Sequence, residues 1–518
     1  MTIEVGDHWV GIDDLVRVAR GGEAVVLSFA ARQHVVAARA LVMRLATSGQ
    51  PIYGLNSALG ANTGSRLADD DLEGYQRRAV RARAVAVGPA YEAASVRAMQ
   101  FARVAGMARG GSGVSPDVLN ACIALLNHAV HPQVPRFGSI GVADLPQLSH
   151  LALPLFGEGK AEFGGEVMSG SAALEKAGLQ PVRLGVKDGL ALISSNAATT
   201  ARAALVLHDV TAALKAWLAA VALGYEGFRA NLSPLSPAAV AARPATGQVQ
   251  VAAQLRQLLK GSALLLPGAA RRVQDPVSMR VVAQVHGAAQ GMVDNARAQV
   301  EIELNSAADS PLVLLNDVAD DASDGGVMLS NGNFHIPALA LTLDACAIAL
   351  AQAASMSVAR CQRFMSPALT GLPLQLTRHG PAHSGFATVQ KTLTALWAEI
   401  RLRANPGSLD YMPVSEGLED HACMALGVAE KLGELLERVR YLIAIELLIA
   451  AQAVDLRGLL EADMGEGTRA TYRQLRAIIP ILNEDRPLGP EIDCVQMAVA
   501  AGLFDFSPLM TTQPADHA

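Results

Sequence analysis

The chain has 518 residues, a net charge of −6, and a composition that is 51% hydrophobic but only 4% aromatic. A chain of this length exceeds what one core usually serves, the common exception being an obligate helical oligomer. Its apolar content is mostly Ala, Leu and Val, which favours helix over sheet, and an acidic balance without a basic tract argues against nucleic acid and anionic membrane surfaces.

In chain order, the N-terminal MTIEVGDHWVGIDD carries acids where a signal peptide needs a basic region and an apolar run. The spacing predicts a helix over Ala24 to Ala46. Pro51 to Ser65 (PIYGLNSALGANTGS) predicts a loop. Helices are predicted over Asp69 to Val87 and Tyr91 to Arg109. Ser115-Pro116-Asp117 is a helix start: an N-cap, a proline at the first position and an acid in the first turn. GEGKAEFGG, from Gly157, reads as a glycine-rich turn, and Leu190 to Val221 as one long helix. A short extended piece is expected within Glu301 to Asn316, followed by an acidic surface loop, Asp317 to Gly326. Ile336 to about Leu456 reads as nearly all helix, with breaks near Pro373, at Pro381 and at Asn405 to Ser408; the last residues, Thr511 to Ala518, are expected to fray. Ile336 to Val358 has membrane-span length, but Asp344 near its centre points to the buried helix of a bundle. Cys122, Cys346, Cys361, Cys423 and Cys494 are odd in number and scattered, without metal spacing, as expected of reduced thiols in a cytoplasmic protein. No metal site is expected.

One stretch carries the functional reading: Phe137 to His150, FGSIGVADLPQLSH. It resembles the core motif of the aromatic amino acid ammonia-lyases and aminomutases. There a Gly-Ser-Val-Gly run is followed by Ala-Ser-Gly and then Asp-Leu-Ala-Pro-Leu-(Ala/Ser)-His, and the Ala-Ser-Gly cyclises to the electrophile methylideneimidazolone. Further motifs follow in order: YGLNSALG (Tyr53 to Gly60), VKDGLALISSNA (Val186 to Ala197), VQDPVSMRVVAQVHG (Val273 to Gly287), ELNSAADSPL (Glu303 to Leu312), NGNFH (Asn331 to His335) and EGLEDH (Glu416 to His421). The resemblance implies a mainly α fold with the long central helical bundle of the ammonia-lyase (fumarase/aspartase-like) type and a small N-terminal helical and loop part. It also implies a homotetramer with shared active sites. Within a single chain, the expected parts are an N-terminal one to about residue 210, a central bundle to about 465 and a C-terminal helical tail.

Carried over residue by residue, the resemblance puts Tyr53 on the catalytic base, where the plainer alternative is a tyrosine packing a turn. Arg280 falls on the arginine that grips the substrate carboxylate, the alternative being a salt bridge to Asp275. Gln274, Asn333 and Phe334 match pocket residues, and Glu419 the late acidic residue of the site. The departures cluster. Between Gly141 and Asp144 stand only Val142 and Ala143, so one residue is missing and no serine remains to be dehydrated. Ser194 replaces the asparagine that supports the prosthetic group, Val277 replaces a second tyrosine, and Ala82-Arg83 replaces a Ser-His pair.

The losses fall on parts that make or serve the electrophile, while parts that hold a carboxylate and move a proton remain. The reading is therefore a lyase or isomerase that uses no cofactor and performs acid–base chemistry on a small carboxylate or activated acyl substrate with an aromatic or hydrophobic body. A non-catalytic binding or partner subunit and a histidine-type ammonia-lyase are the alternatives.

Overall fold

The computed structural model describes residues 2–48, 51–57, 67–68, 71–315 and 325–506. Helix dominates, as the composition predicts, and four helices exceed twenty residues: Ala197–Phe228, Val282–Leu304, Pro337–Phe364 and Ala425–Arg457. The chain divides into two compact units, each gathered from three separate stretches. The first comprises Met1–His208, Ala296–Leu341 and Pro406–Glu430; the second comprises Asp209–Asn295, Thr342–Asn405 and Lys431–Ala518.

Among the described residues, the first unit holds all the short strands. Thr2–Val5 pairs in parallel with Ala24–Leu27. The expected helix from Ala24 therefore begins only at Phe29 and ends at Ala46. The cause is local: Val25, Val26 and Leu27 suit a strand, and Ser28 then caps the helix by accepting the Ala31 amide at 3.1 Å. The expected helix over Asp69 to Val87 is likewise shortened to Leu72–Arg83, because Val87–Ala90 pairs with Pro135–Phe137. GEGKAEFGG forms a hairpin, Lys160–Phe163 against Glu166–Ser169. Its two-residue turn is Gly164-Gly165, at φ +61° and +84°, as a primed hairpin turn requires. The Ser115 start is as expected, with a helix over Pro116–Asn127. Leu55 is fully buried with Leu41, Val42, Leu72 and Val313, which anchors the beginning of the Tyr53 loop.

Leu190 to Val221 is not one helix. Asp188–Ile193 stops at Ser194, and a second helix starts at Ala197. The break is imposed by a carboxylate from elsewhere in the chain, described below. Ile336 to Leu456 is also less continuous than expected. Between the helices Pro337–Phe364, Val389–Arg403 and Ala425–Arg457 the chain is largely irregular, as Gly371 and Pro373 and then Pro406-Gly407 dictate. The extended piece within Glu301 to Asn316 is Leu312–Leu315, paired with Gly326–Leu329. The acidic loop before Gly326 and the terminal tail lie outside the described residues, apart from Gly325 and Gly326.

In the second unit small residues let helices approach closely. A Cβ at Gly227 would stand 2.8 Å from that of Ala453 and 3.1 Å from the Ala450 carbonyl. The core also holds ions. Arg360 Nε donates to Glu446 Oε1 at 2.6 Å with both side chains almost fully buried, and Trp217 Nε1 and Ser357 donate to the other carboxylate oxygen. Glu226, also buried, accepts from Ser262 Oγ at 2.8 Å, Thr468 Oγ1 at 3.0 Å and the Gly465 amide at 3.0 Å. Asp344, which argued against a membrane span, is buried and receives Lys431 Nζ at 2.5 Å. By length and composition alone, Asp188–Phe228 and Pro337–Phe364 could cross a membrane, yet 72% and 56% of their most apolar windows are buried within the protein. All five cysteines are free.

Removing one partner of a buried ion pair leaves an uncompensated charge. Glu446→Ala should therefore lower stability by about 3–5 kcal/mol, read from the urea unfolding midpoint. Lys176→Ala breaks only the surface pair with Glu166 and should leave that midpoint unchanged.

Candidate active site

Gly138 to Asp144 is a tight turn. Gly141 has φ +81°, and a Cβ there would meet the Ala425 amide nitrogen at 2.7 Å and the Cys423 sulfur at 3.1 Å, so both backbone and neighbours require glycine. Ser139 Oγ donates to Asp144 Oδ1 at 2.6 Å and accepts from the Gly141 amide at 3.0 Å. The buried Asp144 carboxylate also receives the Thr199 amide at 2.7 Å and the Thr199 hydroxyl at 3.0 Å. Thr199 lies in the first turn of Ala197–Phe228, so Asp144 supplies the anion that a helix N-terminus favours. Burial raises the Asp144 pKa, opposed by the hydrogen bonds from Ser139 and Thr199. The Asp144 amide donates to the Ser195 carbonyl at 2.7 Å, which holds the interruption between the two helices.

Val142 and Ala143 lie in the same turn. Val142 forms an isolated antiparallel bridge with His335. The Ala143 amide donates to the Phe334 carbonyl at 3.3 Å, and that carbonyl also receives Asn196 Nδ2. On the other side the Met424 amide donates to the Ile140 carbonyl at 2.9 Å and the Cys423 thiol to the Gly141 carbonyl at 3.4 Å. Burial pushes the Cys423 pKa up, so it stays a thiol. The turn is thus clamped between Phe334-His335 and Cys423 to Ala425.

Several residues singled out by resemblance meet here. Val142, Ala143 and Phe334 are in direct contact, and buried Ser194 adjoins Ser195 and Asn196. Asn333 is exposed, its amide donating to Asn331 Oδ1 at 2.9 Å. Glu419 is half-buried in the segment that leads to Cys423; its carbonyl accepts from the Val414 amide at 3.1 Å and from the Tyr411 hydroxyl. Tyr53 is half-buried in a turn braced by Asn56 Oδ1, which accepts the Ile52 amide at 2.7 Å; the loop from Ala58 to Arg66 lies outside the described residues. Arg83 donates back to its own helix, to the Ala79 carbonyl at 3.1 Å.

Gln274 and Arg280 belong to the second unit. Arg280 Nε donates to the Asp275 carbonyl at 2.8 Å. With its amide oxygen turned toward the guanidinium, Gln274 accepts from Arg280 Nη1 at 2.9 Å and Nη2 at 3.2 Å. The considered salt bridge to Asp275 is therefore not what holds Arg280: the bond goes to the backbone, and the Asp275 carboxylate accepts the Asn231 amide at 2.6 Å instead. A cavity of about 720 Å³ bordered by Asn231, Arg271, Arg272 and Val273 opens in the same unit with no carboxylate in its lining.

Three residues around the turn escaped sequence reasoning. His335 Nε2 and His421 Nδ1 are 2.9 Å apart, their rings crossed at 85°. His335 was accounted for only as part of a structural motif, and His421 was the last letter of EGLEDH. Cys423, beside Gly141, was read only as a scattered thiol. Among the described residues no group of His, Cys, Asp and Glu could hold a metal ion.

Comparison with known proteins places this geometry. The histidine ammonia-lyase of Sorangium cellulosum (strain So ce56) is 39% identical over 499 residues, covering 95% of this chain and 96% of that protein. That of Symbiobacterium thermophilum is 37% identical over 501 residues, covering 96% and 97%. The crystal structure of the ergothioneine-degrading enzyme ergothionase from Treponema denticola, in complex with desmethyl-ergothioneine sulfonic acid, superposes with a TM-score of 0.92 at 32% identity, covering 97% of this chain and 99% of that one. The fold is that of the ammonia-lyases. With the aromatic amino acid lyase family model matching residues 10–477, the chain belongs to the aromatic amino acid lyase family.

Proposed function

We propose that this chain is a lyase that works without the family's electrophile, on an imidazole-bearing amino acid betaine that carries its own leaving group. One observation carries the reading: the turn from Gly141 to Asp144 contains only Val142 and Ala143, and neither has a hydroxyl to lose. The prosthetic group does not fit these residues. Ring closure needs a free backbone nitrogen on the third residue of the precursor, and here that position is Asp144, whose amide is committed to Ser195 and whose carboxylate anchors the turn.

Without an electrophile, an ordinary α-ammonium group is too poor a leaving group for a protein base alone, since general base catalysis supplies only about 10²–10⁴ in rate. A trimethylammonium group changes the problem, because it departs as neutral trimethylamine without activation. Ergothioneine is the trimethyl betaine of a 2-thiolated histidine, and the protein with TM-score 0.92 is named for degrading it. The relatives named histidine ammonia-lyase support an imidazole body. In the proposed reaction Tyr53 is the base that takes a proton from Cβ. The C–H electron pair becomes the Cα–Cβ double bond, the Cα–N bond breaks, and an imidazole acrylate and trimethylamine leave. In the first unit Asn333, Phe334, Ser194 and Glu419 are the proposed pocket residues beside Tyr53, with Arg83 as a further cation for the substrate; in the second, Arg280, backed by Gln274, is the proposed carboxylate-binding residue. We infer a homotetramer for the active form.

Histidine deamination is the second reading, favoured by the names of the relatives. It requires the electrophile, so intact mass spectrometry separates the two: no deficit of two waters is expected. Release of trimethylamine and an acrylate from ergothioneine should be visible by proton NMR. Tyr53→Phe should reduce it by roughly 10²–10⁴. Arg280→Lys, which loses the bidentate fork, should raise KM about tenfold or more with a smaller change in kcat. Ammonia from histidine, or a two-water deficit, would overturn the proposal.

A further inference from the structure

The hydrogen-bonded histidine pair belongs to neither the buried core nor the reaction as drawn. His335 is fixed by its backbone bridge to Val142, and His421 lies two residues before Cys423, whose thiol meets the Gly141 carbonyl. From His421 the chain runs back through Asp420 to Glu419. Among the described residues that segment is otherwise held by the Val414–Glu419 bridge and by the Tyr411 hydroxyl on the Glu419 carbonyl, bonds internal to the segment. The His335–His421 bond is thus a side-chain tie between the Glu419 segment and the turn that replaces the electrophile.

We propose that His335 and His421 are positioning residues for Glu419, holding its segment against the Gly141–Ala143 turn through a bond that acid breaks. This rests on the reading of Glu419 as a site residue, given above.

The chemistry of the pair gives the sign. His335 Nδ1 is buried and has no hydrogen-bond partner among the described residues, although the Gly141 carbonyl stabilises the protonated ring. We assign His335 Nε2 as the acceptor and His421 Nδ1–H as the donor, the tautomer that leaves a proton on His335 for the Gly141 carbonyl that raises its pKa. A proton added to His335 Nε2 converts the acceptor to a donor and breaks the bond. Burial first, and then the His421 charge, lower the His335 pKa below the ordinary histidine value. The tie therefore survives at neutral pH and opens below the usual histidine range. Other titratable groups lie close by: Tyr411, whose ring lies 6.4 Å from His421, the Glu419 and Asp420 carboxylates, which act on Tyr411, and Asp144, which acts on Cys423.

Hydrogen–deuterium exchange of the peptide spanning Tyr411 to Ala422, corrected for intrinsic rates, tests the tie without requiring any activity. In the wild type its exchange should rise roughly tenfold between neutral and acid pH. His335→Leu should show the fast exchange at all pH values. His335→Gln retains an amide oxygen that accepts from His421 Nδ1–H in any protonation state, so it should stay slow in acid. Where the proposed elimination is present, kcat should follow exchange: low throughout in His335→Leu, and without the acid loss in His335→Gln, with KM little changed. Acid release that persists in His335→Gln would assign it to the Glu419 or Asp420 carboxylates and overturn the proposal. So would wild-type exchange that does not change with pH. Absence of turnover in the wild type, with the exchange pattern as expected, would sink the reaction and leave the tie standing.

Discussion

The Asp144 carboxylate is the contact on which the site's geometry depends. A fully buried anion is costly unless hydrogen bonds surround it, and this one collects Ser139 from its own turn and both the amide and the hydroxyl of Thr199 from the start of a long helix. Those bonds fix three things together: the curvature of Gly138 to Gly141, the helix break at Ser194 to Asn196, and, through the Asn196 side chain, the Phe334 carbonyl that holds Ala143. The identity of the two residues between Gly141 and Asp144 need not decide whether the turn holds, because its anchors, Ser139, Asp144 and Thr199, lie outside that pair.

That separation of anchor from reactive part has a chemical consequence. An electrophile carried by the protein makes a poor leaving group acceptable, so selectivity can rest on the aromatic body alone. In the proposed reaction, where the protein would supply only a base and a carboxylate grip, the barrier would depend on the substrate's own leaving group. Recognition of a quaternary ammonium and recognition of the reaction would then become one requirement.

The family fold was legible because its motifs are spread along the chain in order, and because helix starts such as Ser115-Pro116-Asp117 are local signals. What stayed hidden was non-local. The break in Leu190 to Val221 comes from Asp144, which lies 55 residues before the Thr199 amide it accepts, and no helical periodicity records it. The strand Ala24–Leu27 was absorbed into a helix because its pairing partner is the N-terminal strand, although Ser28 marked the true start. For Arg280 the alternatives read from the sequence were a substrate carboxylate and a salt bridge to Asp275. The third possibility, a backbone carbonyl and a glutamine, cannot be read from residue types. The His335–His421 pair spans 86 residues and joins two motifs that, taken singly, read as structural.

The three donors around Glu226 have a meaning for the end of the chain. Two of them, the Gly465 amide and the Thr468 hydroxyl, come from the C-terminal segment. A chain ending before Gly465 would therefore leave a carboxylate inside the protein with Ser262 as its remaining donor. Burial already raises the Glu226 pKa against those bonds. Losing two donors would raise it further, so the shortened protein would take up a proton on folding. Its stability would be present in acid and lost as pH rises through that elevated value. The last helices would then act less as a tail than as a stopper, and a nick ahead of them would leave a protein whose stability falls as the pH rises.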